Sequence, residues 1–328
     1  MFPDENTSGG IFVLSNVEMP RSELPFNVFE DVVLRDASTE EIRLLERALE
    51  DTYGIFGSPL AEATLKYKGH VITNEKGGQT LTEKGYEGQP RFWVVAYHGV
   101  NDRTPDLELA GLLTEPQLAL GFAYMCRKPK QADCTGCLIG SRTPISRFRS
   151  DLFDSPKTMP VQELERFRDI YRALRVKDSV PPGVRHAMER YVETFRFDWS
   201  DEVLVLLYAG LIESIITHKP DSKDPTDSLT RQVKAKMRLV ANRFEQTVTP
   251  ESYFTSKKAQ LGDFKKMWAD LYSIRSDIVH GNHDSLKISL DKKFGTLACI
   301  NKYLHDCIRE LIKVYLREPE LIRDLKDC

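Results

Sequence analysis

The chain has 328 residues, of which 41% are hydrophobic and 29% charged, a composition typical of a globular protein long enough for two domains. It has no run of about 20 apolar residues, which predicts no membrane span, and its acidic start lacks the basic region of a signal peptide. The net charge of −3 does not by itself indicate a nucleic-acid partner, although the balance differs between the halves: residues 1–150 hold 16 Lys and Arg against 21 Asp and Glu, and residues 151–328 hold 30 against 28.

The first half reads as short strands separated by turn residues. Five segments are rich in β-branched and aromatic residues and are bounded by Gly, Pro, Asn or Asp, namely 11–17, 29–34, 65–73, 91–99 and 118–126. Between them, residues 38–54 are predicted to form a helix that opens with a capping box of Ser38 and Glu41. We therefore predict an α+β domain over residues 1–155, built on an antiparallel sheet. It contains no P-loop, GxGxxG motif or nucleophile elbow.

The second half reads as helices. Apolar residues recur at helical spacing in six segments, namely 159–176, 181–197, 199–217, 228–245, 261–279 and 294–316. Pro160 lies at the start of the first helix, where proline is favoured, and Ser200 is a candidate N-cap of the third. Gly281 is a natural C-cap of the fifth helix. Residues 156–328 are therefore predicted to form an all-α bundle.

Polar side chains crowd around the end of the fifth helix, in the stretch LYSIRSDIVHGNHD. Arg275 and His280 lie about 140° apart on an ideal helix, so one copy does not aim both at one point, whereas two copies at a dimer seam could. Arginine can fork onto a phosphate and histidine can move protons near neutral pH, a pair suited to phosphodiester cleavage without a metal. On spacing alone, the alternative is a polar helix end that simply stops, with Arg275 in a structural salt bridge.

The sequence LYSIRSDIVHG, on a late helix of an α-bundle, resembles the HEPN superfamily and most of all its Apea-like branch. That branch has an R-x4-H motif that follows Leu-Tyr and closes on His-Gly. The helix with GLIESII is similar to an earlier helix of the branch that carries a glutamate in an apolar setting, and the resemblance covers about residues 160–317. Ser276 stands where many catalytic members have Asn, Asp or His.

The resemblance implies a metal-independent endoribonuclease that needs no cofactor and acts as a homodimer. It implies that Arg275 and His280 of both protomers line one cleft, and that the products carry a 2′,3′-cyclic phosphate and a 5′-hydroxyl. Many members act in toxin–antitoxin or anti-phage systems, so an antiviral defence or toxin role in the cytoplasm is expected. Two rival functions are a non-catalytic HEPN module that dimerises and binds RNA, nucleotide or protein, and a nucleotide-binding regulator paired with a nucleotidyltransferase.

Several further residues are predicted to support this site. Glu213 lies in an apolar helix and needs a partner, which is either Arg275 or, in a purely structural role, Arg238 or Arg243. The other supporting residues are the neighbours of the motif: Ser276, Asp277, Asn282 and His283. Asn282 and His283 either touch RNA or form a turn.

A basic helix and a cysteine group complete the candidates. The helix over 228–245 carries five basic residues that are predicted either to track an RNA backbone or to form a solvated face, namely Arg231, Lys234, Lys236, Arg238 and Arg243. A possible zinc site would use Cys126, Cys134 and Cys137. A structural zinc site usually has two close ligand pairs, and only one CxxC is present, so zinc binding is the less favoured interpretation. The six cysteines give no disulfide framework, which favours a reducing cytosol. The N-terminal domain is predicted to bind a regulatory protein or ligand.

Overall fold

The computed structural model describes residues 7–15, 17–42, 70–73, 79–82, 92–98, 103–127, 157–176, 180–220, 228–254 and 264–327. The chain divides into two compact units, residues 1–179 and 180–328. An antiparallel sheet dominates the first unit and helices dominate the second. The chain is therefore of the α+β class, as the sequence predicts.

The first unit is organised around a five-stranded antiparallel sheet of order β3-β4-β7-β1-β8. The strands are β1 Thr7–Val13, β2 Val17–Glu18, β3 Phe26–Phe29, β4 Val32–Asp36, β5 His70–Thr73, β6 Gln79–Thr82, β7 Trp93–His98, β8 Leu120–Arg127 and β9 Lys157–Thr158. β5 and β6 form an antiparallel pair, and β2 pairs with β9 in parallel. A Cβ atom on Gly10 in β1, which lies between β7 and β8, would be 2.5 Å from the Tyr124 hydroxyl oxygen, so a glycine is needed there.

Two α-helices of this unit lie wholly within the described residues, α1 Thr104–Leu112 and α2 Val161–Arg175. α2 begins directly after Pro160, buries the apolar stripe that its sequence predicts, and packs on α1 and β3. The predicted domain boundary after residue 155 therefore differs from the observed one after residue 179. The reason is that an amphipathic helix covers whichever apolar surface it meets, and α2 covers the sheet unit.

The capping box predicted after β4 is present. The Ser38 N–H donates to a Glu41 carboxylate oxygen at 2.7 Å, and the Glu41 N–H donates to Ser38 Oγ at 3.3 Å. Arg35 donates two hydrogen bonds of 2.8 Å to the same carboxylate. The predicted helix over 38–54 lies outside the described residues beyond residue 42.

The second unit is a helical bundle. Its helices are α3 Pro182–Glu193, α4 Glu202–Ile216, α5 Leu229–Ala241, α6 Phe264–His280, α7 His283–Ser289, α8 Leu297–Arg317 and α9 Pro319–Asp327. The N-cap of α4 is Asp201, which accepts from the Val203 N–H at 2.9 Å; the predicted cap, Ser200, instead donates to Asp198 at 2.7 Å. The short helices α7 and α9 were not predicted, because seven and nine residues are too few to show a clear helical period.

Helix α8 lies against α4 and supplies much of the core of this unit. It also buries an ion pair, in which Lys313 Nζ lies 2.8 Å from Glu310 Oε1. The other oxygen of Glu310 accepts the backbone N–H groups of Glu245 and Gln246 at 3.0 and 3.2 Å. Burial, the largest influence, lowers the pKa of Lys313. These contacts join α8 to the segment that follows α5.

A second polar group of α8 sits among aromatic rings. His305 is buried, and its Nε2 lies 2.9 Å from the Tyr191 hydroxyl. Its Nδ1 lies 3.0 Å from Asp306 Oδ1, and the Tyr253 hydroxyl also donates to Asp306. Burial raises the pKa of Asp306, but these hydrogen bonds to its carboxylate outweigh burial and leave the pKa lowered.

Candidate active site

Helix α6 places the R-x4-H motif on a well-packed support. Met267, Trp268, Leu271 and Ile274 are buried at helical spacing, and they pack the helix against α4 and α5. This apolar stripe fixes which side chains face inward and which face solvent. Arg275 follows the stripe directly and is therefore at its edge, half-buried.

Arg275 is held by two side chains, one from α4 and one from its own helix. Its Nη2 lies 3.4 Å from Glu213 Oε2, and the Tyr272 hydroxyl donates to Glu213 Oε1 at 2.9 Å. The Arg275 guanidinium carbon also lies 5.7 Å from the centre of the Tyr272 ring, within cation–π range. We call Glu213, Tyr272 and Arg275 the Arg275 cluster. The pairing of Glu213 is thus with Arg275, not with Arg238 or Arg243.

The Arg275 cluster contains one ion pair, between Glu213 and Arg275, and one neutral hydroxyl, that of Tyr272. The Glu213 side chain is 12% exposed and the Arg275 side chain 36% exposed, so the pair has a buried end and an open end. Burial is the main cause that raises the pKa of Tyr272, and the charge and hydrogen bond of Glu213 raise it further. Tyr272 is therefore a neutral hydrogen-bond donor that holds the carboxylate in a fixed orientation.

His280 is the last residue of α6, and its side chain is exposed. It makes no hydrogen bond or ion pair with other described side chains. Gly281 follows with a φ of 67°, and its N–H donates to the Ile278 carbonyl at 3.3 Å. The Asn282 N–H donates to the Asp277 carbonyl at 2.8 Å, which completes a Schellman motif. The predicted glycine C-cap is confirmed, and it leaves His280 open to solvent.

The four predicted supporting residues near the motif divide into two groups. Asp277 is buried and accepts hydrogen bonds from Asn282 and Ser285. Asn282 makes the predicted turn, directly before α7. Ser276 and His283 have exposed side chains that make no hydrogen bond or ion pair with the described residues.

The basic residues of α5 do not all face solvent. Arg231, Arg238 and Arg243 are exposed, and Lys234 is partly exposed. Lys236 is only 6% exposed and its Nζ lies 3.3 Å from His218 Nδ1, so it is turned inward and leaves the predicted RNA-binding set. The reason is the helical period, since residue 236 falls on the buried stripe of α5.

The last candidates from the sequence are the three cysteines of the possible zinc site. The thiols of Cys126, Cys134 and Cys137 lie outside the described part of the structure, and no group of three or more His, Cys, Asp or Glu that could hold a metal occurs within it. No helix in the described ranges is both long and apolar enough to cross a membrane. No protein-family model, curated protein or solved structure matches the chain.

Two residues of the site were missed from the sequence, Tyr272 and Ser285. Tyr272 lies three residues before Arg275, a spacing that makes two side chains neighbours on a helix. That signal was available. The contact of Ser285 with Asp277 had no comparable signal, because it depends on the chain reversing at Gly281 into the unpredicted helix α7.

Proposed function

We propose that this protein is a metal-independent endoribonuclease of the HEPN type, active as a homodimer, with Arg275 and His280 as its catalytic residues. The observation that carries the proposal is the Arg275 cluster, in which an arginine is fixed at one edge and open at the other. Arginine has five N–H donors, and those that the fold leaves unbonded are available to phosphate oxygens. Here, among the described contacts, only Nη2 reaches Glu213.

The role assigned to Arg275 is to stabilise the phosphate group in the transition state. The guanidinium of an arginine is a permanent cation, and its fork of donors matches phosphate oxygens. Glu213 and Tyr272 restrict the rotamers of its long side chain, which reduces the entropy lost when substrate binds. The guanidinium would offset the extra negative charge that develops on the pentavalent phosphorus.

The chemistry assigned to His280 is proton transfer. The ribose 2′-oxygen attacks the adjacent phosphorus as it loses its proton to one imidazole. The bond between phosphorus and the 5′-oxygen breaks, and that oxygen takes a proton from a second imidazole. The products are a 2′,3′-cyclic phosphate and a 5′-hydroxyl, and no metal takes part. An exposed His280 with no competing partner among the described side chains suits this role.

Two imidazoles require two protomers in this proposal. Arg275 and His280 project about 140° apart on an ideal helix, so they complete a site more easily across a two-fold axis than within one chain. Two large aliphatic side chains are exposed in this part of the chain, Val279 next to His280 in the sequence at 60% and Ile288 in α7 at 52%. Their burial on dimerisation would add apolar contact beside the shared cleft.

The exposed face of α5 is assigned to the RNA backbone, with Arg231, Lys234 and Arg238 on one side of the helix and Arg243 just after it. The first unit is assigned a regulatory role, because it presents no recognised catalytic motif. The expected biological context is anti-phage defence or a toxin-type effector, by analogy with the family that the motif resembles.

The experiment compares wild type with Arg275→Ala and His280→Ala on single-stranded RNA in EDTA. Wild type is expected to leave cyclic-phosphate ends. Each substitution is expected to lower kcat/KM by roughly 100-fold or more. His280→Ala is expected to change Tm little, because its side chain is exposed. Arg275→Ala is expected to lower Tm by at least about 2–4 °C, because it leaves the Glu213 carboxylate without its cation. Normal cleavage by both variants would refute the assignment of the site.

Re-equilibrated mixtures of wild type with His280→Ala test the composite site. If one cleft needs both imidazoles, mixed dimers are inactive, and an equal mixture keeps about one quarter of the activity of wild type at the same total concentration. If each chain works alone, the mixture keeps about one half. The rival non-catalytic module is favoured by Ser276 after the arginine. It predicts RNA binding that depends on Arg231 and Arg238 with no cleavage by wild type.

A further inference from the structure

The turn after His280 is held by a buried carboxylate three residues earlier in the chain. Asp277 is only 8% exposed. Its Oδ2 accepts a hydrogen bond from Ser285 Oγ at 2.8 Å, and its Oδ1 accepts one from Asn282 Nδ2 at 3.4 Å. We call Asp277, Asn282 and Ser285 the Asp277 cluster. It joins the last turn of α6 to the first turn of α7.

The stability of α6 alone does not explain an aspartate at position 277. A negative charge in the last turn of a helix opposes the helix dipole, and a buried carboxylate also loses hydration. Both costs are offset by the hydrogen bonds that Asn282 and Ser285 donate from beyond the end of α6. The acidic residue therefore serves the junction between the two helices.

In the sequence, His280 lies between Asp277 and the two residues that bond to it, Asn282 and Ser285. Its own side chain has no hydrogen bond to the described residues, so the direction of its imidazole depends on the backbone that carries it. Helix ends fray unless they are held, and the glycine at position 281 adds freedom of its own. Asp277 and Ser285 limit that freedom at the place where a proton-transfer group must be aligned.

We infer that Asp277 and Ser285 are positioning residues for His280, an inference that rests on the proposed ribonuclease function. Neither residue needs to touch RNA in this role. Their effect is to hold the end of α6 in one conformation, since a displacement of about 1 Å in a reacting group can cost roughly 100-fold in rate. Loss of one bond of the Asp277 cluster is expected to affect kcat more than KM.

The test uses the full chain with Ser285→Ala, which removes the 2.8 Å hydrogen bond and little else. We expect kcat to fall by about tenfold with KM within about twofold of wild type. We also expect faster amide hydrogen exchange confined to residues 278–286, because opening of the turn becomes easier. Ser285→Thr keeps a hydroxyl and is expected to restore most of kcat. Ser273→Ala, which changes an exposed serine of α6, is the control.

The possible results separate this inference from the proposed function. Faster exchange with unchanged kcat in Ser285→Ala means that the Asp277 cluster is structural only, and it overturns the positioning role. If Ser285→Ala changes neither the exchange rate nor kcat, the hydrogen bond between Ser285 and Asp277 does not restrain the turn, and the positioning role is also refuted. No cleavage by wild type, with His280→Ala indistinguishable from it, overturns the proposed function and the positioning role together, whatever the exchange data show.

Discussion

Substitution of Glu213 by glutamine gives a sharp test of the Arg275 cluster. Glutamine has the same shape, so its oxygen can still accept the hydrogen bond from the Tyr272 hydroxyl that Glu213 accepts at 2.9 Å. The change removes the negative charge that lies 3.4 Å from Arg275 Nη2. The variant therefore separates the ion pair from the packing of the side chain.

The size of the effect follows from the exposure of the pair. At 3.4 Å the gross attraction is about 5 kcal/mol for an effective dielectric constant near 20. Because Arg275 is 36% exposed, solvent screens much of this, and the net loss on substitution is roughly 1 kcal/mol. For a domain of this size that corresponds to a fall in Tm of about 2–4 °C. If Arg275 is also less well fixed in the transition state, kcat/KM falls by roughly 5–30-fold.

The assay measures Tm and RNA cleavage for Glu213→Gln, with Glu193→Gln as the matched control. Glu193 is an exposed glutamate of α3 whose closest pairing, with Arg196, is 4.0 Å long, so its neutralisation is expected to change neither quantity. Wild-type cleavage and wild-type Tm in Glu213→Gln would refute the view that this carboxylate holds the arginine. A large fall in Tm with normal kcat/KM would assign Glu213 a structural role only.

Two further predictions concern the core of the helical unit. Glu310→Ala leaves Lys313 buried without its closest partner and two backbone N–H groups without an acceptor, so unfolding in urea is expected to require about 3–5 kcal/mol less free energy. The exposed control Glu320→Ala is expected to change little, and a loss under about 1 kcal/mol in Glu310→Ala would contradict the structure. Asp306→Asn is expected to lower stability near neutral pH. The pKa of the Asp306 carboxyl is lower in the folded than in the unfolded protein, so its ionised form stabilises the folded state above the unfolded pKa. This stabilisation is lost as the pH falls through the folded pKa. The gap from wild type should therefore shrink below about pH 4 in unfolding measurements, and a gap that stays constant to pH 3 would refute this coupling.

The sequence predicts the helical unit well wherever the apolar period is long. α8 spans 21 residues and α6 spans 17, and both lie within a few residues of their predicted positions. The glycine C-cap of α6 and the capping box at Ser38 were also predicted, because each depends on a local pattern of residue types.

Features that depend on tertiary packing were harder to predict. The amphipathic pattern of α2 shows that the helix has an apolar face but not which unit that face meets. The partner of Glu213 lies 62 residues away in the sequence, so spacing left three arginines open. The charge of Lys236 predicted an RNA-binding residue, but Lys236 lies on the buried stripe of α5 and is turned inward. The Asp277 cluster required knowledge of the reversal at Gly281.

The Arg275 cluster also constrains how this sequence can change over evolutionary time. Loss of the arginine alone strands a carboxylate that is 12% exposed, and loss of Glu213 alone removes the anchor of the arginine. Because Tyr272 contacts both, the three substitutions are expected to be strongly non-additive. Homologous chains should therefore keep the three residues or lose them together, and a chain that keeps only one of them is expected to lack the proposed activity.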